Sequence, residues 1–278
     1  MKLAYFVLVH RYPEQFSKLF RAIYDPNNYY LIHVDKKAGV AVKEFVKELL
    51  MGFENTAILE SQNVLWGGYS MVDVELRGMS ALLKSHFKWD YFINLSGQDY
   101  PLRSQDYIRD FLDEQEGADF LQMIDQAADR PETMNRVENY FCETSEGFSG
   151  TPYRRPYLAG IKPYIGGQWM ILSRRCCEFI CGSHEVKALK KFYRNTLIPD
   201  EGFFQTVIAN TSYCGRVVSD DKRAIIWIPD GNIKLRPKTF TEQDSAFLFE
   251  SSHLFARKFD DTIDANIVPL LESRFNIS

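Results

Sequence analysis

Apolar runs and helical stripes alternate along the first half of the chain. Leu3–His10 is an unbroken apolar run and predicts a buried strand. Pro13–Tyr24 carries Phe16, Leu19, Phe20 and Ile23 at helical spacing, and Asp25-Pro26-Asn27-Asn28 stops it. Tyr29–Asp35 predicts a second strand, Val42–Met51 a helix and Thr56–Glu60 a short strand, with another at Val64-Leu65-Trp66. Ser70–Phe87 reads as a long helix with Val72, Leu76, Met79 and Leu83 on one stripe and Ser70 as its N-cap. Tyr91–Leu95 predicts a strand, Ser104–Glu114 a helix and Phe120–Ile124 a strand. This alternation predicts an α/β fold, with a mostly parallel central sheet flanked by helices. Such sheets bind ligands beyond the carboxyl ends of their strands. Here those ends carry His10, Asp35, Trp66 and Asp99.

The second half is less regular. Asp125–Tyr164 is polar, rich in Arg, Glu and Tyr, and has no clear period. A loop that long inside a compact domain is usually functional or mobile. Gly166–Ser173 predicts a strand, Arg174–Cys181 and Asp200–Ala209 predict helices, Arg223–Ile228 a strand, and the tail from about Ile263 a helix. Neither a repeat nor a linker interrupts the chain, so residues 1–278 read as a single domain.

Composition narrows the classes. At 45% hydrophobic and 25% charged, the chain is an ordinary globular one. Its 14% aromatic content is high, and aromatics serve sugar and base sites as well as cores. A net charge of −4 favours neither nucleic acid nor an anionic membrane, so any anion site must be local. No apolar run is long enough to span a bilayer, and the N-terminal apolar run lacks a cleavage site, so it reads as a strand rather than a signal peptide. The five cysteines include no CxxC pair, and Cys176, Cys177 and Cys181 share one predicted helix. They read as reduced, cytosolic thiols, not as a disulfide framework or a zinc site.

The chemistry concentrates late in the chain. GxGxxG, P-loop, HExxH and GxSxG signatures are all missing. Ile198-Pro199-Asp200-Glu201-Gly202 places two adjacent acids after a proline at the start of a helical stretch. Taken alone, two such acids serve a helix dipole. Arg236, Lys238, Arg257 and Lys258 offer cations further on. An acid that can take a proton, with cations that can hold an anion, suggests group transfer away from a phosphate leaving group. Asp99 stands where a metal-binding acid pair could lie, but its neighbour is Gln98, and a lone carboxylate is a weak magnesium site. Asp99 also suits a turn before Pro101.

His33-Val34-Asp35-Lys36-Lys37, Trp66-Gly67-Gly68-Tyr69-Ser70, Ile93 to Leu102, Gly166 to Arg174, Pro199-Asp200-Glu201 and Leu254 to Asp260 occur in one order. In that order the chain resembles the Core-2/I-branching enzymes over about residues 3 to 260. That family includes β-1,6-N-acetylglucosaminyltransferases of glycan branching and peptide O-xylosyltransferases. The resemblance implies a GT-A-type fold, an inverting mechanism, a UDP-sugar donor, a glycan or other hydroxyl acceptor and no metal or other cofactor. It implies a nucleotide-binding half at 1–125 and an acceptor and catalytic half at 126–278. Carried over by motif, Glu201 looks like the catalytic base and Lys258 like a diphosphate contact, with Arg236 or Lys238 as the second cation. His10, Asp35 and Trp66 fall on the UDP-sugar side, and Asp99, Trp169 and Trp227 on the acceptor side. The expected donor is UDP-N-acetylglucosamine, with UDP-xylose as the alternative. A non-catalytic sugar- or nucleotide-binding module on the same scaffold is the alternative from another class. Without the membrane anchor, stem and most cysteines of the animal members, the chain is expected to be a bacterial-type cytoplasmic protein. Peripheral association with the inner face of the membrane fits that expectation.

Overall fold

The structure, a computed structural model, describes residues 1–231 and 234–277. The first half follows the alternation: β1 (Leu3–Val9), α1 (Pro13–Ile23), β2 (Tyr29–Val34), α2 (Gly39–Leu50), β3 (Thr56–Leu59), α3 (Tyr69–Lys84), β4 (Tyr91–Ser96), β5 (Asp99–Pro101), α4 (Gln105–Glu114) and β6 (Asp119–Leu121). The central sheet has seven strands in the order Val217–Val218, β6, Met170–Ser173, β4, β1, β2, β3. β1 runs parallel to β2 and β4, and β2 parallel to β3. Met170–Ser173 is antiparallel to both β4 and β6, so one reversed strand from the second half completes the sheet.

Both faces of the sheet are covered, which is why its strands read as continuous apolar runs. Tyr5 and Val7 of β1 point toward Phe16, Leu19 and Phe20 of α1. Ala4 and Phe6 point toward Val72, Leu76 and Met79 of α3. Each such side chain, fully buried, stabilises the fold by about 1.5–3 kcal/mol. Gly78 lets α3 approach closely, since a Cβ there would lie 2.8 Å from the Phe6 ring.

A second, three-stranded sheet has the order Arg223–Ile225, Phe255–Arg257, β5. Tyr100, Leu102, Ala224, Ala256 and Phe259 form its core with Ile267 and Leu271 of the tail helix Ile267–Phe275. That helix starts four residues later than its predicted onset near Ile263.

Several local expectations fail for identifiable reasons. Val64–Trp66 is a loop. Side chains satisfy its amides: Val64 N donates to Asp35 Oδ2 at 3.2 Å and Leu65 N to Ser70 Oγ at 2.8 Å. Ser70 is therefore not the cap of α3; Gly68 holds that position, and Ser70 N donates to Glu143 Oε2 at 3.0 Å. The segment 125–164 contains a hairpin, Asn139–Glu143 with Phe148–Arg154. Its second strand is exposed on both faces, so no period-two signal marks it. The predicted strand Arg223–Ile228 breaks after Ile225, and Trp227–Asp230 pairs with Lys234–Pro237 instead. The predicted strand Gly166–Ser173 is a turn as far as Trp169 and a strand only from Met170. The predicted helix at Asp200 begins at Phe203, after a 3-10 turn at Pro199–Glu201. A helix at Val186–Tyr193 has no counterpart in the sequence reading. All five cysteines are free. Among the described residues no helix is long and apolar enough to cross a membrane.

Candidate active site

A cleft of about 1930 Å³ opens at the carboxyl ends of β1, β2 and β4 and is lined from both sheets. Pockets for one small ligand usually hold roughly 300–1,000 Å³, so this cleft has room for two substrates.

The acid turn is held at both ends. Ile198 sits in the left-handed region at φ 50° and starts the 3-10 turn with Pro199 behind it. Ile198 N donates to Gly67 O at 2.7 Å, and Gly166 N donates to Glu201 O at 2.7 Å. The Trp66-Gly67-Gly68 turn and the Gly166-Gly167 turn thus clamp it. Only glycine fits at 166, because a Cβ there would lie 2.0 Å from Gln122 O. The Glu201 side chain is 29% exposed and accepts from Arg136 Nη1 at 2.7 Å. Asp200 beside it is buried, and its Oδ1 has no hydrogen-bond partner among the described residues. Burial first, and then the Glu201 charge, push the Asp200 carboxyl up to about 7.

Cations gather elsewhere on the same cleft. The register of β5 with Phe255–Arg257 places Arg257 opposite Asp99. Arg257 Nη1 donates to Asp99 Oδ1 at 2.9 Å, and its guanidinium lies 4.1 Å from the centre of the Trp169 ring. Lys258 follows on the cleft wall, and among the described residues no carboxylate lies within ion-pair distance of it. Desolvation, then Arg11, Arg257 and Arg236, hold its ammonium below the usual lysine range. Arg11 also lines the cleft, its Nε and Nη2 donating to Gln98 Oε1 at 3.3 and 3.0 Å. Cations close enough to depress one another make a local positive field inside a chain of net negative charge. An anion is its natural complement.

The expected site residues divide clearly. His10, Asp35, Trp66, Trp169, Glu201, Trp227, Arg236 and Lys258 all line the cleft. Asp35 is also the cap of a 3-10 turn, its Oδ1 accepting from Lys37 N at 2.7 Å. Trp66 and Trp227 present 69% and 50% of their surface, enough for a stacking face. Trp169 is 6% exposed, with the Arg257 guanidinium over its ring.

Two expectations are corrected. Asp99 has no exposed surface and does not line the cleft. Ser96 N, Ser96 Oγ and Arg257 occupy its oxygens, so it is neither an acceptor contact nor an accessible magnesium ligand. Lys238 is ion-paired with Asp244, which forms a capping box with Thr241, and lies off the cleft wall. Of the two alternatives for the second cation, only Arg236 faces the cleft; its Nε lies 4.0 Å from Asp230 Oδ1. The side chain of Lys234 lies outside the described residues.

Sequence reasoning missed Arg11 and Arg136. Arg11 follows directly on His10 at the end of β1, so its position on the ligand edge was available from the pattern. Arg136 belongs to the aperiodic segment and carries no such signal. Among the described residues no three His, Cys, Asp or Glu side chains converge to hold a metal ion.

Comparison with known proteins places this geometry. A model of the Core-2/I-branching enzyme matches residues 3–248. Xylosyltransferase 2 of Homo sapiens is 30% identical over 292 residues, covering 98% of this chain and 33% of that protein. Xylosyltransferase 1 of Rattus norvegicus is 29% identical over 291 residues, covering 98% and 35%. The chain therefore spans about a third of the length of the curated relatives it matches. The solved structure of the galactosyltransferase LgtC with donor and acceptor sugar analogues superposes with a TM-score of 0.50 at 8% identity, covering 100% of this chain and 97% of that one. At that identity the likeness shows a shared fold alone, the GT-A-type α/β fold. With a family match across most of its length, the chain belongs to the Core-2/I-branching enzyme family.

Proposed function

We propose that the protein is an inverting glycosyltransferase that moves a sugar from a UDP-sugar to an acceptor hydroxyl in one displacement. One observation carries this reading. A partly exposed carboxylate, Glu201, and a cation cluster of Arg11, Arg236 and Lys258 line one cleft.

The Gly166–Trp169 turn ties the two parts together. Gly166 holds the backbone of Glu201, and Trp169 holds the Arg257 guanidinium.

In this reading Glu201 accepts the proton of the acceptor hydroxyl as its oxygen bonds to the anomeric carbon. The bond from that carbon to the phosphate oxygen breaks, UDP departs and the configuration inverts. Lys258, Arg236 and Arg11 stabilise the charge that grows on the leaving diphosphate. With charge supplied by side chains, the reaction needs no metal. Trp66 and Trp227 offer faces to ring substrates.

The relatives are xylosyltransferases, which favours UDP-xylose as donor. The family description, a branching enzyme, supports UDP-N-acetylglucosamine as the second reading. The test measures UDP release from both donors with a panel of sugar and hydroxy-amino-acid acceptors, with and without EDTA. Turnover that survives EDTA and falls at least a hundredfold in Glu201→Gln supports the mechanism. Turnover abolished by EDTA, or untouched by Glu201→Gln, refutes it. Donor binding without turnover leaves the non-catalytic module as the better reading.

A further inference from the structure

The second acid of the turn has no task in that mechanism, yet it occupies the same wall. Asp200 lines the cleft, is 7% exposed and leaves Oδ1 without a partner among the described residues. An unsatisfied buried polar group is costly unless a partner arrives.

Behind it stands a second buried acid. Glu75 of α3 is fully buried, and its Oε1 accepts from Asn94 Nδ2 at 2.9 Å and from Gln168 Nε2 at 3.4 Å. Glu75 does not reach the cleft, whereas Asp200 and Gln168 do. Of the two acids, a ligand can complete only Asp200.

We propose that Asp200 is a substrate contact: its unpaired carboxyl oxygen hydrogen-bonds a hydroxyl of the sugar being transferred. The inference rests on the glycosyltransferase reading above. The ligand's chemistry follows from the neighbours. Phosphate and carboxylate are repelled by Glu201 one residue away, whereas an uncharged hydroxyl donates to the unpaired oxygen without that repulsion. The transferred sugar is favoured over the acceptor because Glu201 already takes the acceptor hydroxyl. Gln168, which also lines the cleft, belongs to the segment that leads to Trp169 and the cations.

The charged groups facing Asp200 are Glu201 on its own turn, Arg136 from Asn135–Glu138 and Glu75 from α3. Burial and Glu201 push its carboxyl up, Arg136 opposes them, and the balance lies at about 7. Burial above all pushes Glu75 up to about 8. A hydroxyl donates to the unpaired oxygen of the acid and of its carboxylate alike, so the contact does not depend on which form is present.

The test compares affinities for UDP, UDP-xylose and UDP-N-acetylglucosamine by calorimetry at pH 6 and pH 8.5, in the wild type, Asp200→Asn and Asp200→Ala. In the wild type, the extra affinity of a UDP-sugar over UDP is present at both pH values. Asp200→Asn, whose amide oxygen also accepts, keeps that extra affinity within about threefold. Asp200→Ala loses about tenfold of it at both pH values and keeps the affinity for UDP. An Asp200→Asn protein as weak as Asp200→Ala overturns the proposal. So does an Asp200→Ala protein with undiminished sugar affinity, or one whose UDP affinity falls in parallel. Turnover is measured separately: a wild type that binds the sugar through Asp200 but releases no UDP refutes the catalytic reading and leaves the contact standing.

Discussion

Replacing Asp99 by alanine tests how the cation side is built. Asp99 has no exposed surface, and the Arg257 side chain opposite it is 15% exposed. Its carboxylate accepts from Ser96 N at 3.0 Å, Ser96 Oγ at 3.3 Å and Arg257 at 2.9 Å. Asp99→Ala strands a buried guanidinium and two further donors together. Breaking one partner of a buried pair costs about 3–5 kcal/mol. For a chain of this size each kcal/mol moves Tm by about 2–4 °C, so the expected loss is on the order of 10 °C. Desolvation raises the Asp99 carboxyl above its ordinary range despite Arg257 and Arg223, so ionising it inside the fold has a net cost. Because its folded value lies above its unfolded one, its contribution to stability falls as pH rises through the window between them. The pair is thus not intrinsically stabilising, and Asp99→Ala/Arg257→Met should recover at least about 2 kcal/mol over the sum of the single losses. Urea unfolding of the wild type, both single variants and the double variant supplies the cycle. A loss under about 1 kcal/mol for Asp99→Ala, or strict additivity, refutes the assignment of Asp99 as the anchor of Arg257.

Further outcomes follow from the same geometry. Arg236→Ala should weaken UDP binding about tenfold, whereas Lys238→Ala should leave it within about twofold, a contrast that calorimetry reads directly. Gly166→Ala drives a Cβ into the Gln122 carbonyl, so urea unfolding should show a loss of about 1–3 kcal/mol or more, with transfer falling as the Glu201 turn shifts. Lys258 has its proton affinity lowered in the fold, so its contribution to stability rises with pH through the window below the ordinary lysine value of about 10.4. UDP, which needs the ammonium charged, should therefore raise Tm more at pH 7 than at pH 10, and a shift that does not change with pH refutes Lys258 as its partner.

The sheet was legible because its strands are buried on both faces and its helices on one. Phe16, Leu19, Phe20 and Ile23 mark α1 as clearly in the sequence as in the core. The hairpin at 139–154 was not legible, because its second strand meets solvent on both sides and selection by burial leaves no alternation there. The acid turn could be found, since Pro199-Asp200-Glu201 is compact in sequence. Its partner Arg136 could not, because a contact across 65 residues has no local signature. Asp99 misled for a related reason. An acid at a strand end lies near the ligand edge by topology, but whether it faces the cleft depends on Arg257, 158 residues away. Lys238 and Arg236 likewise differ through another residue, Asp244, which holds the lysine in an ion pair.

On the proposed reading, a chain of net charge −4 has to keep its own acids from neutralising the cations that would hold an anionic donor. The second sheet does this by spending one acid, Asp99, on one arginine, Arg257, inside the core. That pairing turns Arg257 into a fixed support stacked on Trp169, with Lys258 next in sequence at the cleft wall. Arg11 is held by the neutral amide of Gln98, so its charge is positioned without being cancelled. On the acid side the logic is reversed. Glu201 has Arg136 as an ion-pair partner and is 29% exposed, while Asp200 is largely buried and its Oδ1 has no hydrogen-bond partner among the described residues. Environment, not residue type, thus separates two adjacent carboxyls, and burial with the Glu201 charge pushes the Asp200 carboxyl up.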